Sequence, residues 1–336
     1  MSDDKTRRAL SDLLWERYHP HNHPDVPELE RYLMTFRDQL RRDAAARGFE
    51  LDAVAVVEPL PDVLIEPVVR AALAEDLGRA GDITSAACID AGASFSATFS
   101  ARKSGVLAGL ACARLAIRAL DPAATFEPAA EDGARLAPGA AIAHVRANAR
   151  ALLSAERVAL NLVGRLSGVA SLTRAYVDEV EGTGTVITDT RKTTPGLRAL
   201  EKYAVRCGGG VNHRFGLDDA ILIKDNHVAA CGGVGAAIRR ARGAAGHLVK
   251  IEAEVDSLAQ LDEALAEAPD VIMLDNFSLA DLKAAVARAK GRVVLEASGG
   301  VTLETARGVA ETGVDVISVG ALTHSAPALD IGLDAG

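Results

Sequence analysis

From Gly184 to the C-terminus the chain repeats one phrase: a short run of Val, Ile and Leu that ends abruptly in polar residues. TVITDTRK, AILIKDNH, LVKIEAEVD, DVIMLDNF, RVVLEASGG and DVISVGALTH centre near residues 187, 222, 250, 273, 295 and 317, so the later spacings settle near 22. Helical patterns such as SLAQLDEALAEA and SLADLKAAVARAK fill the intervals. Near-continuous apolar strands alternating with helices form a parallel sheet covered by helices. Six such units in about 140 residues are too few for a closed eight-fold barrel, which takes ~200 residues or more. An incomplete βα barrel is expected, its missing wall covered by a smaller domain or by a second subunit.

The residues before the barrel follow a different grammar. Between 61 and about 150, a helical pattern over Leu64 to Asp76 precedes short alternating stretches, SFSATFSARKSGVLAG and DGARLAPGAAIAHV, punctuated by Gly and Pro. These predict an α+β domain with an antiparallel sheet. A long helix is expected from about Ser154 to Val180, where Val158, Leu162, Leu166, Val169, Leu172, Tyr176 and Val180 recur at steps of three and four. Ser154 is the expected N-cap, with Glu156 in the first turn. Residues 1–60 look like a separate, polar extension holding the only tryptophan, Trp15. Leu29, Leu33, Phe36 and Leu40 suggest an amphipathic helix within Glu28 to Arg47. The run from Tyr18 to Pro24, with His19, His21 and His23, reads as an exposed turn, with metal binding as the alternative.

A formal net charge of -9 and 4% aromatic residues argue against a nucleic-acid binder or a nonspecific membrane binder. Cys88, Cys112, Cys207 and Cys231 form no C-x-x-C pair, which fits a reducing compartment better than a disulfide scaffold or zinc site. The N-terminus lacks the layout of a signal peptide, and no apolar run is long enough to span a bilayer. A cytoplasmic protein is expected.

Against this acidic background, DTRKTTPGLRALEKYAVRCGGGVNHR, residues 189–214, gathers positive charge. Barrel chemistry collects at the C-terminal ends of the strands, where Arg191, Lys192, Lys224, Glu254, Asp275 and Ser298 sit. Arg191, Lys192, His213, Arg214 and Lys224 together would suit a ligand bearing several anionic groups, since arginine matches carboxylates and phosphates with a planar fork and lysine supplies a point charge. Arg198, Lys202 and Arg206, at steps of four beside Glu201, read as a solvated helix face. The Gly208-Gly209-Gly210 turn brings backbone close to a ligand or simply turns the chain.

Glu254 and Asp275, beside these cations, suggest Mg²⁺, which is usually held by one or two carboxylates plus substrate phosphates. The alternative is that each pairs with a nearby base such as Lys224 or Lys250, and Glu252 competes with Glu254 for the role because the two share a strand face. Ser298, Gly299, Gly300 and Gly320 close the last two strands and lead into helices, the usual place for a phosphate in such a barrel.

The block DTRKTTPGLRALEKYAVRCGGGVNHR followed by ILIKDNHV resembles the quinolinate phosphoribosyltransferase family. ERVALNLVGRLSGVAS, EAEVDS, MLDNF, EASGGV and SVGALTHSAPALDIGLD resemble its other motifs in the same order, so the resemblance runs from about residue 61 to the end. It implies transfer of the phosphoribosyl group of phosphoribosyl pyrophosphate to the nitrogen of quinolinate, with loss of CO₂ and pyrophosphate, for NAD synthesis. It implies that Arg157, Arg191, Arg214 and Lys224 hold the quinolinate carboxylates, and that Lys192 and His213 face the donor's pyrophosphate. Glu254 and Asp275 would reach Mg²⁺ and the ribose hydroxyls, and Ser298, Gly299, Gly300 and Gly320 would cradle the 5′-phosphate. The implied architecture is an α/β sandwich over 61–166, an incomplete barrel over 167–322, and a segment over 323–336 returning to the small domain. The implied assembly is an interlocked homodimer in which Arg157 reaches the neighbour's site. A nicotinate-specific relative would leave one of the four cations surplus. A Schiff-base aldolase using Lys224 would need a less polar setting than KDNH, and a non-enzymatic anion binder would have no use for Glu254 and Asp275.

Overall fold

The computed structural model describes residues 57–289 and 291–335; the expectations for the His-rich run and for a helix within 28–47 lie outside them. Helices Asp62–Leu77 and Ile83–Cys88 come first, the second capped by Asp82, whose side chain accepts from Ser85 N at 2.9 Å. Strands β1 (Ser94–Ala101), β2 (Gly105–Val106), β3 (Thr125–Pro128), β4 (Arg135–Leu136) and β5 (Ala141–Asn148) follow, with helix Leu110–Leu120 between β2 and β3. β1 and β5 are antiparallel, and their inward residues face each other, Ala97 opposite Val145 and Phe99 opposite Ala143. This face is buried together with Cys112, Leu115 and Ala116 and with Ile65, Val69 and Leu73. Each large side chain so buried contributes about 1.5–3 kcal/mol.

The long helix runs Ala149–Glu179 and is the spine of the molecule. It starts five residues before the expected Ser154, because β5 runs straight into it and Asn148 supplies the cap, accepting from Arg150 N at 3.0 Å and Ala151 N at 3.3 Å. The Ser154 hydroxyl instead donates to Asp82 at 3.0 Å, tying the helix to the Asp82 turn. Arg157 consequently lies about two turns into the helix rather than in its first turn.

The second sheet holds β6 (Val186–Thr188), β7 (Ile221–Ile223), β8 (Ile251–Val255), β9 (Val271–Asp275), β10 (Val294–Ser298) and β11 (Val316–Ser318). All pairs are parallel, in the order β6-β11-β10-β9-β8-β7. These are the six apolar runs of the sequence, and as expected the barrel is not closed. β6 and β7 are its free edges, and among the described residues a single bridge, Thr188 to Val211, reaches into the gap between them. Ile187, Ala253, Val255, Ile272, Leu274, Leu295, Ala297 and Ile317 are buried, as are Leu261, Ala264, Leu282, Ala285 and Ala306 on the helices. After β11 the chain crosses the long helix, where Leu329 N donates to Gly164 O at 2.8 Å. It then forms β12 (Ile331–Ala335), the edge of the sheet β12-β1-β5-β3. Among the described residues no helix is long and apolar enough to cross a membrane.

The Gly208-Gly209-Gly210 turn packs against this spine. A Cβ on Gly208 would lie 2.6 Å from Thr173 Cβ, and one on Gly210 would lie 2.8 Å from Thr173 Cγ2 and 2.9 Å from Val205 Cγ1. Of the two readings left open by the sequence, close helix packing at a chain reversal is the one the structure supports. Only Gly209 needs left-handed backbone, at φ 89°.

Candidate active site

The strand ends of the open barrel converge on one mouth, and the sequence-derived residues divide into those at the rim and those beneath it. β6 ends at Thr188 and is followed by Asp189, Arg191 and Lys192. Lys192 is exposed; its carbonyl accepts from Thr323 Oγ1 at 2.8 Å, and its Cδ would lie 3.1 Å from a Cβ on Gly320. The ends of β6 and β11 are thus in contact, although 130 residues of sequence separate them in outline. Arg191 is half-buried, and its Nε is enclosed with no hydrogen-bond partner.

Arg214 lies on the loop that fills the gap between β6 and β7. Its Nη1 donates to Ala220 O at 3.0 Å, while its Nε is also buried without a partner. Burial and the nearby charge of Arg191 both disfavour its protonated form, with Glu252 and Asp219 opposing. Two guanidinium groups are therefore held close together, each with a buried donor left unused. Such an arrangement is costly unless an anion bridges them.

His213 points below this rim. Its Nδ1 accepts from Arg214 N at 2.8 Å, which leaves Nε2 to carry the proton and donate to Glu252 Oε2 at 2.9 Å; Glu296 Oε2 is 3.8 Å away. Burial opposes a charged ring, and Glu252 and Glu296 outweigh burial and draw its pKa upward. The Nδ1 bond nevertheless fixes the neutral tautomer in this geometry. The ring's bonds hold His213 between the Arg214 backbone and the two buried carboxylates of Glu252 and Glu296. Glu296, not singled out from the sequence, is raised by burial and by the adjacent Glu252 carboxylate, with His213 pulling the other way. His213, Glu252 and Glu296 have the composition of a metal site. However, a metal-bound histidine donates its other N–H to an acceptor, whereas here that nitrogen faces a donor. A shared proton fits the trio better than a metal ion does. Of the two carboxylates on this strand face, Glu252 pairs with His213 and Glu254 with Lys224.

Lys224 follows β7, and its Nζ donates to Glu254 Oε2 at 2.7 Å; Lys250, the other suggested partner, pairs with Asp270 at 3.4 Å. Asp275 closes β9 in register with Ser298 on β10, and Asp275 Oδ2 accepts from Asn276 Nδ2 at 2.8 Å. Among the described residues Asp275 has no basic partner. Glu254 and Asp275 each keep one oxygen outside these bonds, so their hard, accessible donors fit Mg²⁺ shared with substrate phosphates. Gly299 adopts φ 97°, and a Cβ there would lie 2.7 Å from Asn276 Cγ; Gly300, at φ 61°, has open space around it. Gly320 begins the short Ala321–His324 helix beside Lys192. Arg157 stands apart, exposed on the long helix with no hydrogen bond or ion pair among the described residues.

The helix Arg198–Cys207 corrects the sequence reading most sharply. Glu201 is 0% and Lys202 3% exposed, so the expected solvated face is turned inward at both. Glu201 takes Arg165 Nη2 at 2.8 Å, Thr194 N at 2.9 Å and Thr194 Oγ1 at 2.7 Å. Lys202 Nζ pairs with Asp189 and donates to His213 O at 2.9 Å. Burial draws the Asp189 carboxyl upward, and Lys202, His213 N and Asn212 act in the opposite sense. All three partners donate, so the ionised form is the one this geometry accommodates. The period-four spacing was visible in sequence, but no signal there showed that loops cover the charged side of this helix.

Comparison with known proteins gives one answer. The model of the quinolinate phosphoribosyl transferase N-terminal domain matches residues 82–167, and that of the C-terminal domain matches residues 169–334. A nicotinate-nucleotide pyrophosphorylase [carboxylating] of Mycobacterium leprae is 52% identical over 271 residues, covering 79% of this chain and 95% of that one. A probable enzyme of the same name from Bacillus subtilis is 48% identical over 260 residues, covering 77% and 89%. The solved structure of the nicotinate-nucleotide pyrophosphorylase from Francisella tularensis superposes with a TM-score of 0.80 at 39% identity, covering 83% of this chain and 99% of that one.

Proposed function

The chain belongs to the quinolinate phosphoribosyltransferase family, and from that premise we infer how its own residues carry the reaction. It transfers the phosphoribosyl group of phosphoribosyl pyrophosphate to the nitrogen of quinolinate and releases pyrophosphate and CO₂, leaving nicotinate mononucleotide. The observation that carries this reading is the Arg191–Arg214 pair, two guanidinium groups close together with buried, unpartnered Nε donors. A planar molecule with two adjacent carboxylates would occupy both forks at once.

In this reading Arg191, Arg214 and Lys224 hold the quinolinate carboxylates, so the ring nitrogen is aimed at the sugar. Lys192, exposed beside Gly320, meets the donor's diphosphate. Ser298, Gly299, Gly300 and Gly320 receive the 5′-phosphate on backbone N–H groups. Bound Mg²⁺ would be held by Glu254 and Asp275 with the diphosphate and would offset charge on the leaving group. Positive charge develops at the sugar as the glycosidic bond to diphosphate breaks, and the carboxylates of Glu254 and Asp275 lie at the strand ends to stabilise it. No side chain has to act as a covalent nucleophile; orientation and fixed charge supply the catalysis. Once the ring nitrogen is alkylated, the electrons released with CO₂ remain at C2 beside the cationic nitrogen, and a proton completes the product.

Among the described residues Arg157 has no hydrogen-bond or ion-pair partner, which supports a two-fold dimer in which it reaches the quinolinate of a second copy. The widely spaced, unpaired cysteines agree with a cytoplasmic setting. The test is incubation with quinolinate, donor and Mg²⁺, following nicotinate mononucleotide and CO₂ together. Equal turnover of nicotinate, which lacks one carboxylate, would overturn the assignment of the paired arginines.

A further inference from the structure

The two guanidinium groups just described lie on opposite sides of the break between β6 and β7. Arg191 follows β6, and Arg214 lies on the loop leading to β7. These two strands are the free edges of the sheet, and among the described residues the Thr188–Val211 bridge alone extends into the gap. The sheet's hydrogen-bond ladder therefore does little to fix how far apart they sit, and some other element must.

Asp189 and Lys202 are placed to do so. Asp189, two residues before Arg191, takes Lys202 Nζ, Asn212 Nδ2 at 2.7 Å and His213 N at 2.9 Å. Lys202 in turn donates to His213 O at 2.9 Å, and its own carbonyl accepts from Asn212 Nδ2 at 2.9 Å. Both peptide groups flanking the His213 Cα are thus held by one buried ion pair, immediately before Arg214. The helix carrying Lys202 is itself anchored: Glu201 binds Arg165 of the long helix, and Gly208 leaves no room for a side chain against Thr173.

An ion pair with both side chains enclosed is a poor way to gain stability, since apolar residues of similar volume serve as well or better. Its advantage is direction, because charged hydrogen bonds fix distance and angle. Recognition of two adjacent carboxylates by two separate arginines depends on that spacing, because a fork displaced from its carboxylate loses its charge-assisted hydrogen bonds.

We propose that the Asp189–Lys202 pair is a positioning strut that sets the separation of Arg191 and Arg214, and thereby the affinity for an aromatic ortho-dicarboxylate that neither residue touches. The proposal rests on the assignment of those arginines to quinolinate made above.

The test compares wild type with Lys202→Met and with the double variant Lys202→Met/Asp189→Asn, by thermal melting and by steady-state kinetics for quinolinate. Lys202→Met alone leaves a buried carboxylate unpaired and is expected to melt far lower. The double variant removes both charges and is expected to melt within a few degrees of wild type, yet to show KM for quinolinate raised tenfold or more with kcat changed less than threefold. Recovery of both stability and KM in the double variant would refute the strut, because a merely structural pair would behave that way. Should the double variant not fold, Asn212→Ala loosens the same loop from an exposed position. A rise of about threefold in KM is then expected, and an unchanged KM counts against the proposal. Absence of quinolinate turnover by the wild type would instead sink the parent reading.

Discussion

Gly208→Ala asks whether the triple glycine serves packing or ligand. The new Cβ would lie 2.6 Å from Thr173 Cβ and 3.0 Å from Thr173 Cγ2, and would overlap the Ala170 carbonyl oxygen more closely still. Ordinary contact begins at 3.4 Å, so relieving the tightest overlap, with the Ala170 carbonyl oxygen, requires the turn and the long helix to separate by about 1 Å. Neither surface yields easily, since Ala170 and Thr173 are both fully buried. Overpacking of this kind costs about 1–3 kcal/mol, which in a chain of this size lowers the melting temperature by about 2–10 °C. The displaced turn leads within six residues to Arg214, so kcat/KM for quinolinate should fall by on the order of a hundredfold. The control is Gly209→Ala. Gly209 is exposed, and its Cβ would meet Arg174 Nη1 at 3.4 Å and Val177 Cγ1 at 3.7 Å, which is tolerable contact; the penalty there is the left-handed backbone, about 1–2 kcal/mol. Melting curves and steady-state kinetics on both variants decide the matter. If Gly208→Ala retains wild-type melting and activity while Gly209→Ala loses activity, the turn serves a ligand and the packing argument is wrong.

Glu296 has its carboxyl raised to about 7 from 4.5 by burial and by Glu252. Its folded form holds a proton more tightly than its unfolded form, so its contribution to stability is full below about 4.5 and lost as pH rises to about 7. Glu296→Gln lacks that loss, and its unfolding free energy relative to wild type should grow by up to about 3 kcal/mol over this interval and then level off; a pH-independent difference in chemical denaturation would contradict the buried-proton account. Lys192→Ala and Lys224→Ala each should lower kcat/KM a hundredfold or more while shifting the melting temperature by at most a few degrees, because both side chains are exposed and the surface Lys224–Glu254 pair is worth at most about 1 kcal/mol. Near-normal turnover in either variant would remove that lysine from the site. Arg157→Ala and Lys224→Ala, each inactive alone, should regain about a quarter of wild-type activity when mixed under subunit exchange, since random pairing makes half the dimers mixed and leaves one intact site in each. Exchange verified by mass with no regained activity would place Arg157 within its own chain's site.

Much of this molecule was legible locally. A strand buried on both faces must be apolar along its length, so the six runs announced the sheet, and the polar residues that ended them marked its mouth at Arg191, Lys192, Lys224, Glu254, Asp275 and Ser298. The long helix was equally legible from its stripe, although its start was not, because the cap depended on where β5 ended and Asn148 turned. Three other features required the tertiary structure. Glu201 and Lys202 repeat with the period of a surface face, but burial depends on what covers a helix, and here residues 189–194 and 212–214 fold over it. Glu252 and Glu254 were equivalent in the strand's alternation, until His213 from a distant loop claimed one and Lys224 the other. Arg191 and Arg214 were recognisable as cations, but not as a pair with a set separation. Periodicity is a property of neighbours along the chain, whereas a charge acquires its role from groups that only folding brings within a few ångströms.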